Sequence, residues 1–170
     1  MATEVLAREI PDLVVELVDG GKSRHESEHN ALEFLSPAIE AGEIDVILIH
    51  DGARPLASAE LFRQIAEGAH RHGGALHALA VDPREMNTRV DSQVVRVQTP
   101  QGFRATELLS AYRSAKQDGF LGTDTASCME KYFPDVHTIA VPGEIQNVKI
   151  TYPQDLVIAE HILGVRRYRD

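Results

Sequence analysis

The sequence predicts an α/β fold with a mostly parallel sheet, and two observations support this prediction. Short apolar runs alternate along the chain with longer segments whose apolar residues recur at helical spacing, which is typical of βαβ units. Residues 46–49 are four consecutive apolar side chains, Val-Ile-Leu-Ile, which fits a strand covered on both faces, as in a parallel sheet. At 170 residues the chain is long enough for a single domain spanning residues 1–170.

The predicted helices are bounded by residues that favour helix ends. Thr151 and Gln154 have the pattern of a capping box for a last helix that ends at Gly164, before a charged, unstructured tail over 164–170. The buried face of that helix is expected to carry Leu156, Val157, Ala159 and Ile162. The other predicted helices cover residues 3–10, 23–40, 59–71 after an N-cap at Ser58, 107–117 after an N-cap at Thr106, and a segment that begins at 122–127.

Runs of β-branched and apolar residues predict the strands. The polar segment 82–91 contains Pro83 and is interpreted as a loop or a projecting arm. The predicted strands cover residues 13–18, 45–50, 75–81, 94–97, 136–141 and 148–151.

Charge and cysteine content exclude several classes of protein. The net charge of −9 and a pI near 5.3 argue against general binding to nucleic acid or anionic membranes, because an acidic surface repels phosphate groups. The single cysteine, Cys128, excludes an intramolecular disulfide and is expected to fill core space. No signal-peptide pattern and no apolar run of about 18 residues is present, so a cytoplasmic protein is expected.

The strongest candidate site follows the strand predicted at 45–50. Asp51, Gly52 and Arg54 come where this strand emerges, and ligands of open α/β sheets bind at the carboxyl ends of strands. A carboxylate there suits Mg²⁺, and an arginine suits a phosphate. The alternative is a surface turn capped by Asp51, with Arg54 paired to it.

A second pattern, His25-Glu26-Ser27-Glu28-His29, satisfies the H-E-x-x-H spacing of zinc-binding helices. The pattern lies at the very start of the predicted helix, where the positive end of the helix dipole disfavours a cation. We therefore interpret it as a solvated first helical turn.

Five sequence blocks occur in order between residues 13 and 163, and together they resemble the 2-C-methyl-D-erythritol 4-phosphate cytidylyltransferases of the non-mevalonate isoprenoid pathway and their ribitol-5-phosphate relatives. The blocks are Val-Asp-Gly-Gly at 18–21 with Arg24 and Ser27, His-Asp-Gly-Ala-Arg-Pro at 50–55, Gln-Thr-Pro-Gln-Gly-Phe at 98–103, Thr-Asp-x-Ala-Ser at 123–127, and Asn-Val-Lys-Ile-Thr at 147–151 with Pro153, Asp155 and Leu156.

The resemblance implies a Rossmann-like, glycosyltransferase-A-like nucleotidyltransferase fold in three layers. It implies an enzyme that transfers a cytidylyl group from CTP to 2-C-methyl-D-erythritol 4-phosphate, releases pyrophosphate, uses Mg²⁺ and works as a homodimer. Asp51 would bind the metal and would be catalytic together with Lys149 and Arg54, the arginine reaching the substrate of the partner subunit. The nucleotide-binding residues would be Gly20, Gly21, Ser27, Asp51, Gly52 and Lys149, and the substrate-binding residues Arg54, Thr123 and Lys149.

Judged without the resemblance, Lys149 fits a solvated strand end and Thr123 a helix N-cap equally well. The chain also departs from the family, because the family's first strand and glycine-rich CTP loop have no counterpart before residue 13, and the arm is short. Residues 1–170 alone are therefore expected to bind CTP weakly, to be inactive and to self-associate through open strand edges. A polyol-phosphate (ribitol 5-phosphate) cytidylyltransferase and a non-catalytic substrate or dimer module remain as alternatives.

Overall fold

The structure is a computed structural model that describes residues 2–10, 12–13, 15–81 and 95–167. The arm predicted at 82–91 lies outside the described residues. The elements are α1 (Ala2–Glu9), α2 (Arg24–Glu40), β1 (Val46–Ile49), α3 (Ala59–His72), β2 (Gly73–Ala80), β3 (Val95–Arg104), α4 (Ala105–Asp118), α5 (Thr125–Tyr132), β4 (His137–Pro142) and α6 (Pro153–Arg167).

The four strands of the described residues form one sheet in the order β1-β3-β2-β4. β3 runs antiparallel to both β1 and β2, whereas β4 runs parallel to β2. Three of these four strands thus point the same way, and β3 is reversed. The predicted α/β class is confirmed. The sheet is mixed, and the carboxyl ends of β1, β2 and β4 lie on the same side of it.

Several predicted helix ends are confirmed. Ser23 is the N-cap of α2, and its hydroxyl accepts a hydrogen bond from the N–H of Glu26 at 3.1 Å. Ser58 caps α3 in the same way, accepting from the N–H of Leu61 at 3.2 Å. Gly119 ends α4 in the left-handed conformation, with φ of 67°, which glycine adopts without steric cost.

The expected cap at Thr106 is wrong. Helix α4 already begins at Ala105, and its N-cap, Arg104, makes no side-chain capping hydrogen bond to the described residues. β3 continues directly into the helix, and the N–H of Ala105 donates to the carbonyl of Asp45 at 2.9 Å. A contact between distant segments therefore satisfies the first N–H of this helix, and Thr106 lies inside the helix and not at its cap.

The last helix also differs from the prediction. Asp155, and not Gln154, supplies the cap, because its Oδ2 accepts from the N–H groups of Thr151 and Tyr152, both at 2.8 Å. The helix continues through Gly164 to Arg167, so the first part of the predicted tail is helical. On the predicted buried face Ala159 is buried, but Leu156 and Val157 are 51% and 67% exposed.

Two predicted strands are absent from the described residues. Residues 15–18 belong to none of the described strands, and the side chains of Leu13 and Leu17 are 62% and 53% exposed. Residues 148–151 form a loop whose Ile150 N–H donates to the carbonyl of Ala53 at 2.8 Å. Apolar composition alone does not make a strand, because a strand also needs a neighbour for its backbone groups.

The main core lies between the sheet and helices α2, α4 and α5, where Leu32, Phe103, Leu108 and Tyr112 are at most 1% exposed. Cys128 is fully buried there, as predicted, and burial raises the pKa of its thiol to about 11. No helix in the part of the chain that the structure describes is long and apolar enough to cross a bilayer.

The two histidines of the H-E-x-x-H pattern are not solvated, so that interpretation is wrong. His25 and His29 are only 7% and 5% exposed, because the first turns of α2 pack against α4. The ring of His25 stacks on Tyr112 with centroids 4.4 Å apart and an interplanar angle of 11°. The Nζ of Lys116 lies 3.0 Å from the Nε2 of His29.

This packing predicts an acid-sensitive fold. Burial, with a smaller effect of nearby positive charge, lowers the pKa of both His25 and His29 below 6.5. Below about pH 6.5 the two histidines therefore bind more protons in the unfolded chain than in the folded chain. The stability that comes from burying the neutral rings is present above that pH and is lost as the pH falls further. The His25→Phe variant keeps the stacked ring but removes one of the two histidines. Denaturant titrations at several pH values should show that the free energy of unfolding of this variant depends less on pH.

His70→Phe is the matched control, because it makes the same change at a histidine that is exposed at the end of α3. An unchanged pH dependence in His25→Phe would contradict the assignment.

A second prediction concerns Gly102 in the central strand. A Cβ added there would lie 2.6 Å from side-chain atoms of both Ile65 and Leu48, so Gly102→Ala should destabilise the fold by about 1–3 kcal/mol through overpacking. At Gly164 in α6, a Cβ would meet no atom of the described residues within 4 Å, so Gly164→Ala should be neutral or stabilising. Equal unfolding midpoints for the two variants would contradict this packing.

Candidate active site

A cluster of charged side chains lies at the carboxyl end of β1, around Asp51. The Nζ of Lys149 donates to Asp51 Oδ2 at 3.0 Å, Arg24 Nη2 lies 3.5 Å from Oδ1, and Arg54 Nε lies 3.9 Å from Oδ2. The Asp51 side chain is only 17% exposed. One largely buried carboxylate is thus surrounded by three cations from different parts of the chain.

The cations keep this carboxylate ionised. Burial by itself raises the pKa of the Asp51 carboxyl, but the hydrogen bond from Lys149 and the charges of the three cations outweigh burial, and the pKa lies below its ordinary value. In a chain with a net charge of −9, three cations at one strand end form a local site that can attract an anion.

A network of hydrogen bonds holds the cluster in place. Arg54 Nη1 donates to the carbonyl of Asn147 at 2.8 Å, and Asn147 Nδ2 donates to the carbonyl of Thr99 at 2.8 Å. Thr99 Oγ1 in turn accepts from the N–H of Asp51 at 3.0 Å. The end of β1, the middle of β3 and the loop before α6 are therefore tied together through side chains of three sequence blocks.

His50 completes this support. Its Nε2 lies 3.0 Å from the carbonyl oxygen of Arg54, which can only accept, so Nε2 carries the proton. Its Nδ1 then accepts from Thr99 Oγ1, 3.3 Å away. The imidazole positions the Asp51–Arg54 turn and is not itself directed at the Asp51 carboxylate.

Sequence reasoning missed a second carboxylate beside the cluster. Glu28 Oε1 lies 2.9 Å from Arg24 Nε, and its Oε2 accepts a hydrogen bond from the Tyr112 hydroxyl. Burial raises the pKa of Glu28, although the Tyr112 hydrogen bond and the Arg24 charge partly offset this effect. The i, i+4 spacing of Arg24 and Glu28 could have indicated their pairing, whereas nothing local indicates Tyr112.

The predicted nucleotide residues at the start of α2 lie close together. The N–H of Gly21 donates to Ser27 Oγ at 2.9 Å. A Cβ at Gly20 would lie 3.2 Å from that hydroxyl, and a Cβ at Gly21 would overlap the side chain of Glu26. Glycine is required at 21 by this close approach, and Ser27 lines a cavity of about 310 Å³ between α2 and β1.

The remaining predicted site residues are Gly52, Thr123 and Arg54. Gly52 is exposed in the turn after β1, and Thr123 is exposed one residue before the N-cap of α5. That N-cap, Asp124, accepts from Gln101 Nε2 at 3.2 Å. Arg54 is mostly buried, and its Nε lies 3.9 Å from Asp51 Oδ2 of its own chain; its predicted reach into a partner subunit stays a prediction.

The cluster contains one carboxylate, that of Asp51, that could bind a metal ion. In the described ranges no group of three or more His, Cys, Asp or Glu side chains could hold a metal ion. Mg²⁺ commonly takes one or two protein carboxylates and completes its shell with water and substrate phosphates. The ionised Asp51 fits that mode of binding and does not fit a metal site built from protein ligands alone.

Comparisons with known proteins agree on one family. The IspD family model, 2-C-methyl-D-erythritol 4-phosphate cytidylyltransferase, matches residues 3–165. The 2-C-methyl-D-erythritol 4-phosphate cytidylyltransferase of Bacillus cereus is 38% identical over 161 residues, which cover 90% of this chain and 68% of that protein.

Solved structures agree with this result. The crystal structure of the 2-C-methyl-D-erythritol 4-phosphate cytidylyltransferase from Thermus thermophilus has a TM-score of 0.72 and 28% identity, over 95% of this chain and 87% of that one. The 4-diphosphocytidyl-2C-methyl-D-erythritol synthase of Anaerococcus prevotii has a TM-score of 0.77 and 26% identity, over 96% and 73%. The chain belongs to the 2-C-methyl-D-erythritol 4-phosphate cytidylyltransferase family, as its five sequence blocks predicted.

Proposed function

We propose that this chain forms the acceptor and metal side of a site that transfers a cytidylyl group from CTP to 2-C-methyl-D-erythritol 4-phosphate. The observation that carries the proposal is the ionised Asp51 carboxylate at the end of β1, with Lys149 3.0 Å away and two arginines beside it. Family membership supports the choice of substrates, since the relatives are named for this reaction.

In this reaction a phosphate oxygen of the acceptor attacks the α-phosphorus of CTP. A new P–O bond forms, the bond from the α-phosphorus to the bridging oxygen breaks, and its electron pair leaves with pyrophosphate. Both reactants already carry the nucleophile and the leaving group, so the protein contributes positioning and charge neutralisation.

The chain's own residues can perform both tasks. Lys149, on the loop before α6, is a point charge on a flexible stem that can neutralise the acceptor phosphate and the α-phosphate together. Arg54, whose Nη1 donates to the Asn147 carbonyl, would reach the acceptor phosphate bound to the partner subunit of a dimer. Asp51 would hold Mg²⁺, which when bound neutralises further charge on the phosphates.

The other assignments rest on the resemblance and on the local geometry. The backbone at Gly20, Gly21 and Gly52 would approach the nucleotide, with Ser27 on the ribose or base. Thr123 would bind the acceptor phosphate. A cytoplasmic homodimer completes the proposal.

The test is pyrophosphate release with CTP and Mg²⁺, using residues 1–170 with the glycine-rich CTP loop of a family member fused before residue 1. Release that requires 2-C-methyl-D-erythritol 4-phosphate supports the proposal. Release with ribitol 5-phosphate alone would favour the polyol-phosphate alternative, and binding of acceptor with no release would favour the non-catalytic module. Residues 1–170 by themselves are the control, with CTP binding expected to be no tighter than about millimolar.

In that extended protein Asp51→Asn should lower kcat by at least about a hundredfold, because an amide cannot supply the negative charge that a metal needs. Circular dichroism should show an unchanged fold. The control is Asp135→Asn, a charge-matched change at an exposed residue before β4. Near wild-type turnover of Asp51→Asn at saturating Mg²⁺ would overturn the metal role.

Lys149→Ala should weaken the binding of both CTP and the acceptor, since one ammonium serves two anions. Calorimetric titrations with each ligand measure the two effects separately. Arg71→Ala removes an exposed cation from α3 and should change neither affinity. A change in CTP affinity alone would show that Lys149 does not contact the acceptor phosphate.

A further inference from the structure

Two buried polar side chains behind the Asp51 cluster have no part in the proposed reaction. The side chain of Glu28 in α2 is only 10% exposed, and Tyr112 in α4 is fully buried. The Tyr112 hydroxyl donates a hydrogen bond to Glu28 Oε2. The other carboxylate oxygen, Oε1, lies 2.9 Å from Arg24 Nε. This pair therefore connects the core between α2 and α4 to one of the three cations around Asp51.

Arg24 is held mainly by Glu28 and only loosely by Asp51. The distance from Arg24 Nη2 to Asp51 Oδ1 is 3.5 Å, which is longer than an ordinary N–H···O hydrogen bond. The closer contact with Glu28 is an ion pair, since Glu28 Oε1 has no hydrogen-bond partner among the described residues. The guanidinium thus lies beside Asp51 without being tightly bound to it. Because the Arg24 side chain is 37% exposed, it can also contact a bound anion.

Local stability does not favour this arrangement. Arg24 is the first residue of α2, where the positive end of the helix dipole disfavours a cation. A cation four residues before a carboxylate is also the weaker order for such a helical pair. Glu28 is a carboxylate removed from water, which is costly and requires partners. Two unfavourable choices that compensate each other at the edge of a site indicate a role in that site.

The neighbours of Arg24 favour the nucleotide as its ligand. Arg24 follows Gly21 and precedes Ser27 in the chain, and the N–H of Gly21 donates to Ser27 Oγ at 2.9 Å. Both residues belong to the proposed nucleotide site. The guanidinium itself lies at Asp51, where the metal and the α-phosphate are proposed to bind. A planar guanidinium with several donors suits a phosphate group.

We propose that Glu28 and Tyr112 are positioning residues for the nucleotide, because together they hold Arg24 beside Asp51, where its guanidinium binds a phosphate group of CTP. The choice of CTP as the ligand rests on the proposed function. Without the Glu28 charge, Arg24 would either close onto Asp51 or turn to solvent, and in both cases it would be lost to the phosphate. Without the Tyr112 hydroxyl, Glu28 would lose a hydrogen bond that favours its ionised form.

The test is the binding of CTP with Mg²⁺ to ¹⁵N-labelled residues 1–170, measured from the shifts of amide resonances. Glu28→Gln keeps the shape of the side chain and removes its charge. Loss of a negative charge by itself should strengthen the binding of an anion, whereas loss of the position of Arg24 should weaken it. We expect the Kd to rise at least about threefold. Unchanged or tighter binding would refute the proposal, as would the absence of CTP-dependent shifts around Arg24 in the unaltered chain.

Tyr112→Phe is the second variant, because it changes no charge and keeps the ring that stacks on His25. It should raise the Kd at least about twofold. In an Arg24→Gln background neither Tyr112→Phe nor Glu28→Gln should have any further effect, since both act through that guanidinium. Effects that persist in this background would mean that the pair acts through the fold and not through Arg24.

The chain offers a matched control for each change. Glu33 lies on the same helix and pairs with Arg113 at 2.8 Å, and the Tyr132 hydroxyl donates to Asp118 at 3.0 Å. Glu33→Gln and Tyr132→Phe should therefore leave CTP binding unchanged. A rise in Kd for these controls equal to that for Glu28→Gln and Tyr112→Phe would contradict the proposal.

The binding measurements and the transfer assay have separate outcomes. CTP binding that is insensitive to Glu28→Gln and Tyr112→Phe would refute the positioning role, even if the extended protein released pyrophosphate. The expected changes in Kd would support the positioning role, even if the extended protein released none and the proposed transfer were wrong.

Discussion

The buried side chain of Asn147 is the contact on which the candidate active site depends. It is fully inaccessible to solvent, and its Nδ2 donates to the carbonyl of Thr99 in the central strand, while its backbone carbonyl accepts from Arg54 and Gln98. The loop before α6 pairs with none of the described strands, so these side-chain bonds replace the backbone ladder that would otherwise hold it. Because Lys149 lies two residues further on, the Asn147 amide, together with the hydrogen bond from the Ile150 N–H to the Ala53 carbonyl, helps to hold its ammonium near Asp51.

The candidate site concentrates positive charge within an acidic protein. The chain carries nine more negative than positive charges, yet Arg24, Arg54 and Lys149 come together around one carboxylate. Their mutual repulsion is offset by Asp51 and, for Arg24, by Glu28. An anionic substrate can take over this compensating role, which is a direct electrostatic reason for phosphate to bind at this cluster.

Helix α2 makes contacts on two faces. One face carries Arg24, Ser27 and Glu28 toward the end of β1, and the other packs His25 and His29 against α4. The H-E-x-x-H spacing therefore does not reflect a solvated turn. Its histidines are buried because α4 covers them, and their unsatisfied N–H groups follow from burial without acceptors among the described residues.

The sequence by itself determined the α/β class, the helix starts at Ser23 and Ser58, and the residue types of the candidate site. These features are local: caps bind their own first turn, and a polar pair after an apolar run is readable without a structure. Only the tertiary structure decided which segments pair. Two segments with strand-like composition, residues 15–18 and 148–151, lack a neighbouring strand among the described residues. Helix α4 begins at Ala105, whose N–H donates to the carbonyl of Asp45. Tyr112 donates a hydrogen bond to Glu28, which is 84 residues away in the sequence. Such contacts depend on how distant segments pack, and no local pattern encodes them.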